Sequence, residues 1–139
     1  MDGQRIRERF ATARAATLAT VRPDGSPHLV PVCFALLGES VVTAVDQKPK
    51  RSLDLTRLAN IRANPAVEVL VHHYGEEWSR LWWIRLRGRA AVLESGDRRE
   101  AGLAALLAKY PQYEQRPPQG PVIEITPESW SSWSATGLW

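Results

Sequence analysis

The sequence contains little cysteine and histidine. There is one cysteine, Cys33, and there are three histidines among 139 residues. A lone cysteine excludes an intrachain disulfide, and together with the polar N-terminal segment MDGQRIRERF, which has no export leader, it favours a cytoplasmic protein. His72 and His73 are adjacent on a predicted strand and therefore point to opposite faces, so no histidine spacing combines with Cys33 into a metal site. We expect no metal centre.

Long apolar runs and glycine-rich nucleotide signatures are also missing. Without an apolar run of about 20 residues we expect no membrane span, and without GxGxxG or GxxxxGKS the usual dinucleotide and P-loop sites are excluded. A strong excess of positive charge is absent too, since 18 basic and 15 acidic residues give a net charge of +3. Six tryptophans interleaved with basic residues would suit base stacking, but so small a charge argues against a nucleic-acid module.

What is present is the composition of a soluble globular protein. Hydrophobic residues make up 44% and charged residues 24%, and a chain of this length is typical of one domain. We therefore predict a single domain over residues 1–139.

The first third of the chain predicts a helix followed by strands. A helical pattern over residues 2–13 precedes β-rich runs at 17–21 and 28–36, which flank the turn sequence RPDG. A further run at 41–45 follows, so the pattern predicts a three-stranded antiparallel meander.

The remainder alternates between both kinds of element. Ser52 is a candidate N-cap of a helix that Asn64-Pro65 ends. Strands are predicted from residue 66 and over 81–93, then an amphipathic helix over 97–110, a loop over 112–121, a last strand over 122–126 and a tryptophan-rich tail. About six strands with two or three flanking helices indicate a mainly β fold, a small antiparallel barrel.

A cationic segment lies between the third strand and the middle helix. It has five basic and two acidic residues, namely Lys48, Lys50, Arg51, Arg57, Arg62, Asp46 and Asp54. A cationic loop that opens a helix is suited to bind a phosphate, because side-chain charge and free backbone N–H groups meet there. A solvated basic helix face is the alternative.

Three motifs in order resemble the split β-barrel family that includes pyridoxamine phosphate oxidase and the deazaflavin-dependent oxidoreductases. They are ATLATVRPDGSPHLVPVCF, VVTAVDQKPKRSLDLTRLANIRANPAVEVLV and WWIRLRGRAAV, and the resemblance covers about residues 10–135. The KPKR loop, the LANIRANP helix end and the LWWIR strand are most similar to small actinobacterial-type proteins assigned to coenzyme F420. The resemblance implies a split β-barrel and a homodimer that binds each cofactor in a cleft at the dimer interface.

The resemblance also implies site residues. It places Lys48, Lys50 and Arg51 near the cofactor phosphate, and Thr43 and Asp46 beside the ring and its side chain. Lysine and arginine spread along a loop suit the phosphodiester and oligoglutamate tail of F420.

Two further segments are candidates to line the flat ring, the first from the family and the second from the chemistry of its side chains. One is the strand that contains Pro31, Val32 and Cys33. The other is the strand with Trp83 and Arg85, which share its less apolar face and offer aromatic contact and a positive charge, whereas Trp82 on the opposite face is expected in the core.

The resemblance thus implies an F420-dependent oxidoreductase that transfers hydride to a small organic substrate. The cofactor performs this chemistry, so the missing catalytic triad is no objection. The alternatives are an FMN-binding oxidase or reductase of the same fold, whose KPKR loop would hold a phosphate monoester, and a non-catalytic F420-binding protein. The pattern assigns neither a proton donor nor a substrate.

Overall fold

A computed structural model describes residues 3–45 and 56–137. Its helices and strands follow one another in this order: α1 Gly3–Thr12, β1 Ala16–Val21, β2 Pro27–Val32, β3 Ala35–Leu37, β4 Ser40–Ala44, α2 Thr56–Ala63, β5 Ala66–His73, β6 Trp82–Leu93, α3 Asp97–Lys109, α4 Gln112–Gln115 and β7 Val122–Ser134. A single 3₁₀ turn, Trp78–Arg80, precedes β6.

The described strands form one curled antiparallel sheet of seven, in the order β2-β1-β5-β6-β7-β4-β3. This confirms the mainly β class and the split-barrel architecture, with one strand more than predicted. None of the described helices is long and apolar enough to cross a membrane.

The predicted three-stranded meander is wrong. The run 28–36 breaks at Cys33 and Phe34, so β2 lies at one end of the sheet and β3 lies at the other. The break is possible because a distant tyrosine satisfies its backbone. The Phe34 N–H donates to the Tyr110 hydroxyl over 3.1 Å, and that hydroxyl lies 3.0 Å from the Phe34 carbonyl oxygen. A buried segment can leave a sheet ladder when its polar groups find such partners.

The C-terminal tail is a strand. β7 continues from the predicted 122–126 to Ser134 and pairs with the whole of β6, from Leu93↔Val122 to Trp82↔Ser134. A register shift at Arg87/Gly88 absorbs the irregularity near Pro127, which lacks a ladder donor. The predicted loop 112–121 also contains the short helix α4.

The core lies inside the curled sheet, closed by α1. Ile84 and Leu86 of β6 are fully buried and Arg85, Arg87 and Arg89 are exposed, as the alternation predicts. Phe10 of α1 inserts among them and contacts Phe34 and Trp130, with ring centroids 4.9 Å and 5.0 Å away. Trp82 packs against this core but stays partly exposed. A second apolar cluster joins α3 to β3, β4 and β7.

Candidate functional site

Pairing between strands aligns several predicted site residues on the outer face of the sheet. Residues directly opposite each other in neighbouring strands point to the same face. One such row crosses five strands and consists of Pro31, Thr17, Leu70, Arg85 and Ser131. The next row contains His72, Trp83 and Trp133.

These rows build a patch of aromatic and cationic side chains, which we call the outer aromatic patch. It consists of Leu70, His72, Tyr74, Trp83, Arg85 and Trp133, and the first five line an open cavity of about 590 Å³. The Arg85 guanidinium carbon lies 4.9 Å from the centre of the Trp83 ring. Tyr74 contacts His72 edge-on at 5.9 Å and lies 6.5 Å from Trp133 between ring centroids.

The patch is open to a ligand. Tyr74 is 58% and Trp133 is 41% exposed, although aromatic side chains usually bury most of their surface. Among the described residues Arg85 makes one ion pair, with Nε 3.6 Å from Oε1 of Glu68, and both side chains remain about half exposed. Such a pair is weak in water, so the guanidinium is available to an incoming oxyanion or carbonyl. The patch therefore offers flat apolar surface beside a positive charge.

Pro31 and Val32 lie on opposite faces of β2. Pro31 is exposed and shares the cross-strand row of Arg85, whereas Val32 pairs with Ala16 and its side chain is buried in the core. Exposed Leu29 lies two residues before Pro31 on the same face. Pro31 is therefore the residue of this predicted pair that extends the outer face toward the sheet edge.

Thr43 lies in the interior of this chain. It is 1% exposed, and its Oγ1 donates to the Cys33 carbonyl over 2.6 Å. The hydroxyl thus ties β4 to the break between β2 and β3. Asp46, Lys48, Lys50 and Arg51 fall outside the described residues.

The strand that precedes the cationic segment ends near the Leu93 end of β6, whereas Arg85 lies toward the other end of β6. The cationic segment begins after β4, whose last residue, Ala44, pairs with Val122, and Val122 also pairs with Leu93 at the end of β6. Arg85 stands eight residues earlier in the same strand. At about 3.3 Å per residue, the strand separates Arg85 from Leu93 by about 26 Å.

Sequence reasoning missed Leu70 and His72 as members of the patch. Leu70 lies on the less apolar face of β5, and the pattern around His72 bore only on a metal site. Val67, Val69 and Val71 form the apolar face of β5. Aligning it with the apolar face of β6 sets Leu70 opposite Arg85 and His72 opposite Trp83. That alignment is the signal that identifies both.

Two residues with shifted pKa values lie away from the patch, at the end of α3. Burial lowers the pKa of Lys109 to about 8, assisted by the charge of Arg14. Burial also raises the pKa of Tyr110. Lys109 Nζ donates to the Ala11 carbonyl over 3.0 Å and lies 3.9 Å from the centre of the Phe34 ring. Both side chains therefore serve the packing of α3 against α1 and Phe34.

In the part of the chain that the structure describes, no group of three His, Cys, Asp or Glu residues is arranged to hold a metal ion.

Solved structures with the same architecture span nearly the whole chain. A conserved hypothetical protein of Mycobacterium tuberculosis is 22% identical, with a TM-score of 0.79 over 97% of this chain and 86% of its own. A protein of Mesorhizobium loti described as FAD-binding is 19% identical, with a TM-score of 0.71 over 95% and 94%. The haem storage protein HutZ of Vibrio cholerae is 14% identical, with a TM-score of 0.72 over 95% and 93%. At these identities the likeness concerns the fold.

No curated protein matches the sequence. The family model described as pyridoxamine 5'-phosphate oxidase matches residues 3–134, which is almost the entire chain. This match agrees with the seven-stranded split-barrel architecture. The chain therefore belongs to the pyridoxamine 5'-phosphate oxidase family.

Proposed function

We propose that this protein is an oxidoreductase that binds coenzyme F420 and transfers hydride to a small organic substrate. The observation that carries the proposal is the pair of Trp83 and Arg85 on an open face, 4.9 Å apart from guanidinium carbon to ring centre. A flat heteroaromatic ring gains contact energy on such a surface, and a guanidinium beside it binds a ring carbonyl or an oxyanion.

The chain's own residues bind and orient the cofactor in this proposal. Trp83 supplies the flat contact, Arg85 supplies the charge, and Leu70 with Tyr74 excludes water from one side of the ring. Lys48, Lys50 and Arg51 remain our predicted phosphate ligands. F420, when bound and reduced, supplies the hydride.

A homodimer is part of the proposal. About 26 Å of β6 separates Arg85 from the strand end beside which the cationic segment begins. One ligand meets both groups most directly when they come from two copies of the chain. Exposed Leu29 and Pro31 on the same outer face offer the apolar surface that such packing would cover.

FMN is the principal alternative cofactor, because its isoalloxazine ring needs the same flat surface and its phosphate monoester needs the same cations. Haem is a second alternative, favoured by the imidazole of His72 at the rim of the patch and consistent with a haem storage protein of this fold. A non-catalytic F420-binding protein is a third, and it would differ in turnover rather than in binding.

Titration of the tryptophan fluorescence with F420, FMN and haemin separates these cofactors. The proposal expects F420 to bind at micromolar or lower concentration and more tightly than the other two. Oxidation of reduced F420 in the presence of electron-accepting substrates then distinguishes an enzyme from a binding protein. Tighter binding of FMN or haemin would replace the proposed cofactor, and tight F420 binding without turnover across a broad acceptor screen would favour the binding protein.

Variants at two tryptophans locate the site. Trp83→Leu should weaken F420 binding roughly fivefold to tenfold through loss of the stacking surface. Trp78→Leu is the matched control, because Trp78 is 76% exposed and lies outside the patch. Equal affinity in both variants would remove the patch from the cofactor site.

A further inference from the structure

A second cavity, which we call the end cavity, lies beside the outer aromatic patch. It forms where the chain leaves α1, where the 3₁₀ turn enters β6, and where β7 ends, and its volume is about 650 Å³. His72 lines both this cavity and the patch. A ligand on the patch can therefore extend into the end cavity without leaving the protein surface.

The side chains that line the end cavity are polar and biased toward positive charge. Arg9, Arg14 and Arg80 contribute to the lining, as do His72 and His73, and none of the described lining residues is acidic. Cavities with walls of one sign concentrate counterions of the opposite sign. This bias favours an anionic ligand.

Neighbouring groups leave the charge of two of these arginines uncancelled. Arg14 donates to the Lys109 carbonyl over 3.1 Å and lies over the Tyr110 ring at 4.8 Å, and both partners are neutral. Arg80 is exposed, and its side chain has no ion pair with any residue between 3 and 45 or between 56 and 137. An oxyanion in the cavity would therefore meet positive charge that no carboxylate of the described chain neutralises.

A buried hydroxyl adds an unused hydrogen-bond donor. Ser134 lines the end cavity, and its Oγ is buried without a hydrogen-bond partner among the described residues. A buried polar atom usually has a partner, since leaving it without one costs free energy. A ligand oxygen at this position would accept from it.

Trp82 gives the cavity one apolar wall. It packs against the core, it lines the cavity, and the Arg9 guanidinium carbon lies 5.5 Å from the centre of its ring. A ligand that combines an apolar body with an oxyanion would use both the wall and the cations.

We propose that the end cavity binds the oxyanion, carboxylate or phosphate, of a small organic ligand. The cavity shares His72 with the outer aromatic patch, but none of its described lining residues is a predicted phosphate ligand. Where it rests on the proposed function, it assigns the substrate to a class: an electron acceptor with an anionic group, held with its reducible part against the cofactor ring on the outer aromatic patch.

The test uses three probes without any cofactor: benzoate, phenyl phosphate and neutral benzamide. Calorimetry and quenching of tryptophan fluorescence measure their binding to the full chain. The proposal expects at least one anion to bind about tenfold or more tightly than benzamide. A preference for benzoate identifies a carboxylate site and a preference for phenyl phosphate identifies a phosphate site. Equal binding of all three probes would overturn the proposal.

Two substitutions place the bound anion. Arg80→Gln should weaken binding of the preferred anion about fivefold to tenfold, and Ser134→Ala should weaken it about threefold. Arg116→Gln is the matched control, since Arg116 is an exposed arginine outside the cavity. Anion binding unchanged in Arg80→Gln and Ser134→Ala would show that the anion binds elsewhere and would overturn the assignment.

F420 titration of the same variants separates the two proposals. If the anion binds as expected and F420 does not, the end cavity stands and the proposed cofactor fails. If F420 binds and the affinity for the anions is the same in all variants, the proposed cofactor stands and the end cavity fails.

Discussion

At the scale of one residue, the packing of Lys109 disfavours its positive charge. Its ammonium lies between the Phe34 ring and the Ala11 carbonyl, and burial lowers its pKa to about 8 from 10.5. The unfolded chain therefore holds this proton more tightly than the folded one. This group therefore lowers the free energy of unfolding at pH values below about 8. The free energy of unfolding then increases as the pH rises from about 8 toward 10.5.

We expect Lys109 to make the free energy of unfolding rise between about pH 8 and pH 9.5. The slope should stay below about 1.4 kcal/mol per pH unit, which is the limit for the release of one proton. The rise should end near pH 10, because the raised pKa of Tyr110 makes ionisation favour the unfolded state there. Urea unfolding across this range measures the slope. Lys109→Met should flatten it, and an unchanged slope in that variant would contradict the assignment.

Gly88 stands where β6 and β7 change register, and a side chain does not fit there. A Cβ at this position would collide with the carbonyl oxygen of Thr126, which is backbone and has little room to move. Gly88→Ala should cost about 1–3 kcal/mol of stability. Gly75→Ala is the control, since nothing lies within 4 Å of a Cβ there. Thermal unfolding compares the two variants, and equal melting temperatures would show that the bulge adapts.

At the scale of elements, sequence patterns predicted what local periodicity controls. The alternation of β6 and the amphipathic face of α3 predicted both elements to within a residue or so. Local signals could not show the break after Val32, because it depends on Tyr110, 76 residues away. The extension of β7 depends on pairing with β6. Predicting the outer aromatic patch would have required both that pairing and the register of β5. Of its members, only Trp83 and Arg85 were therefore predicted as cofactor ligands.

A buried polar contact joins helix α2 to the sheet, beside the apolar packing of Leu58 and Ile61. Asn60 Nδ2 donates to Thr20 Oγ1 over 3.0 Å, and both residues are buried. Thr20→Val would leave the amide without this acceptor, which should cost about 1–3 kcal/mol. Thr17 on the same strand points to the outer face, so Thr17→Val should lower the free energy of unfolding by less. Chemical denaturation measures both, and equal losses would mean that the Asn60 contact adds nothing specific.

At the scale of the whole molecule, we propose that the site draws on a second copy of the chain. The outer face carries Leu29 at 64% exposure, on the same side as Pro31 and the patch. Leu29→Glu places a charge in the proposed contact and should shift the protein from dimer to monomer, with loss of F420 binding. Light scattering after gel filtration measures the mass. Ala104→Glu is the control, because Ala104 is exposed on α3. A monomeric wild type that binds F420 would refute the dimer.

Mixing two inactive variants tests whether one cofactor site draws on both copies. Trp83→Leu with Arg85→Ala removes the patch, and Lys50→Ala with Arg51→Ala removes the predicted phosphate ligands. If each site joins the patch of one copy to the cationic segment of the other, a mixed dimer holds one intact site and one that lacks both halves. Random exchange makes about half of the dimers mixed, so about a quarter of all sites should recover F420 binding.

The separation along β6 makes this recovery a strict test. A site built within one chain would lose a half in every copy, so mixing could restore none of it. Each double variant alone should bind F420 about tenfold or more weakly than the wild type, and each must keep its dimeric mass for the exchange to report on the site. Recovery of binding after joint unfolding and refolding would assign the patch and the cationic segment to different copies, whereas dimers that exchange without recovery would assign them to the same one.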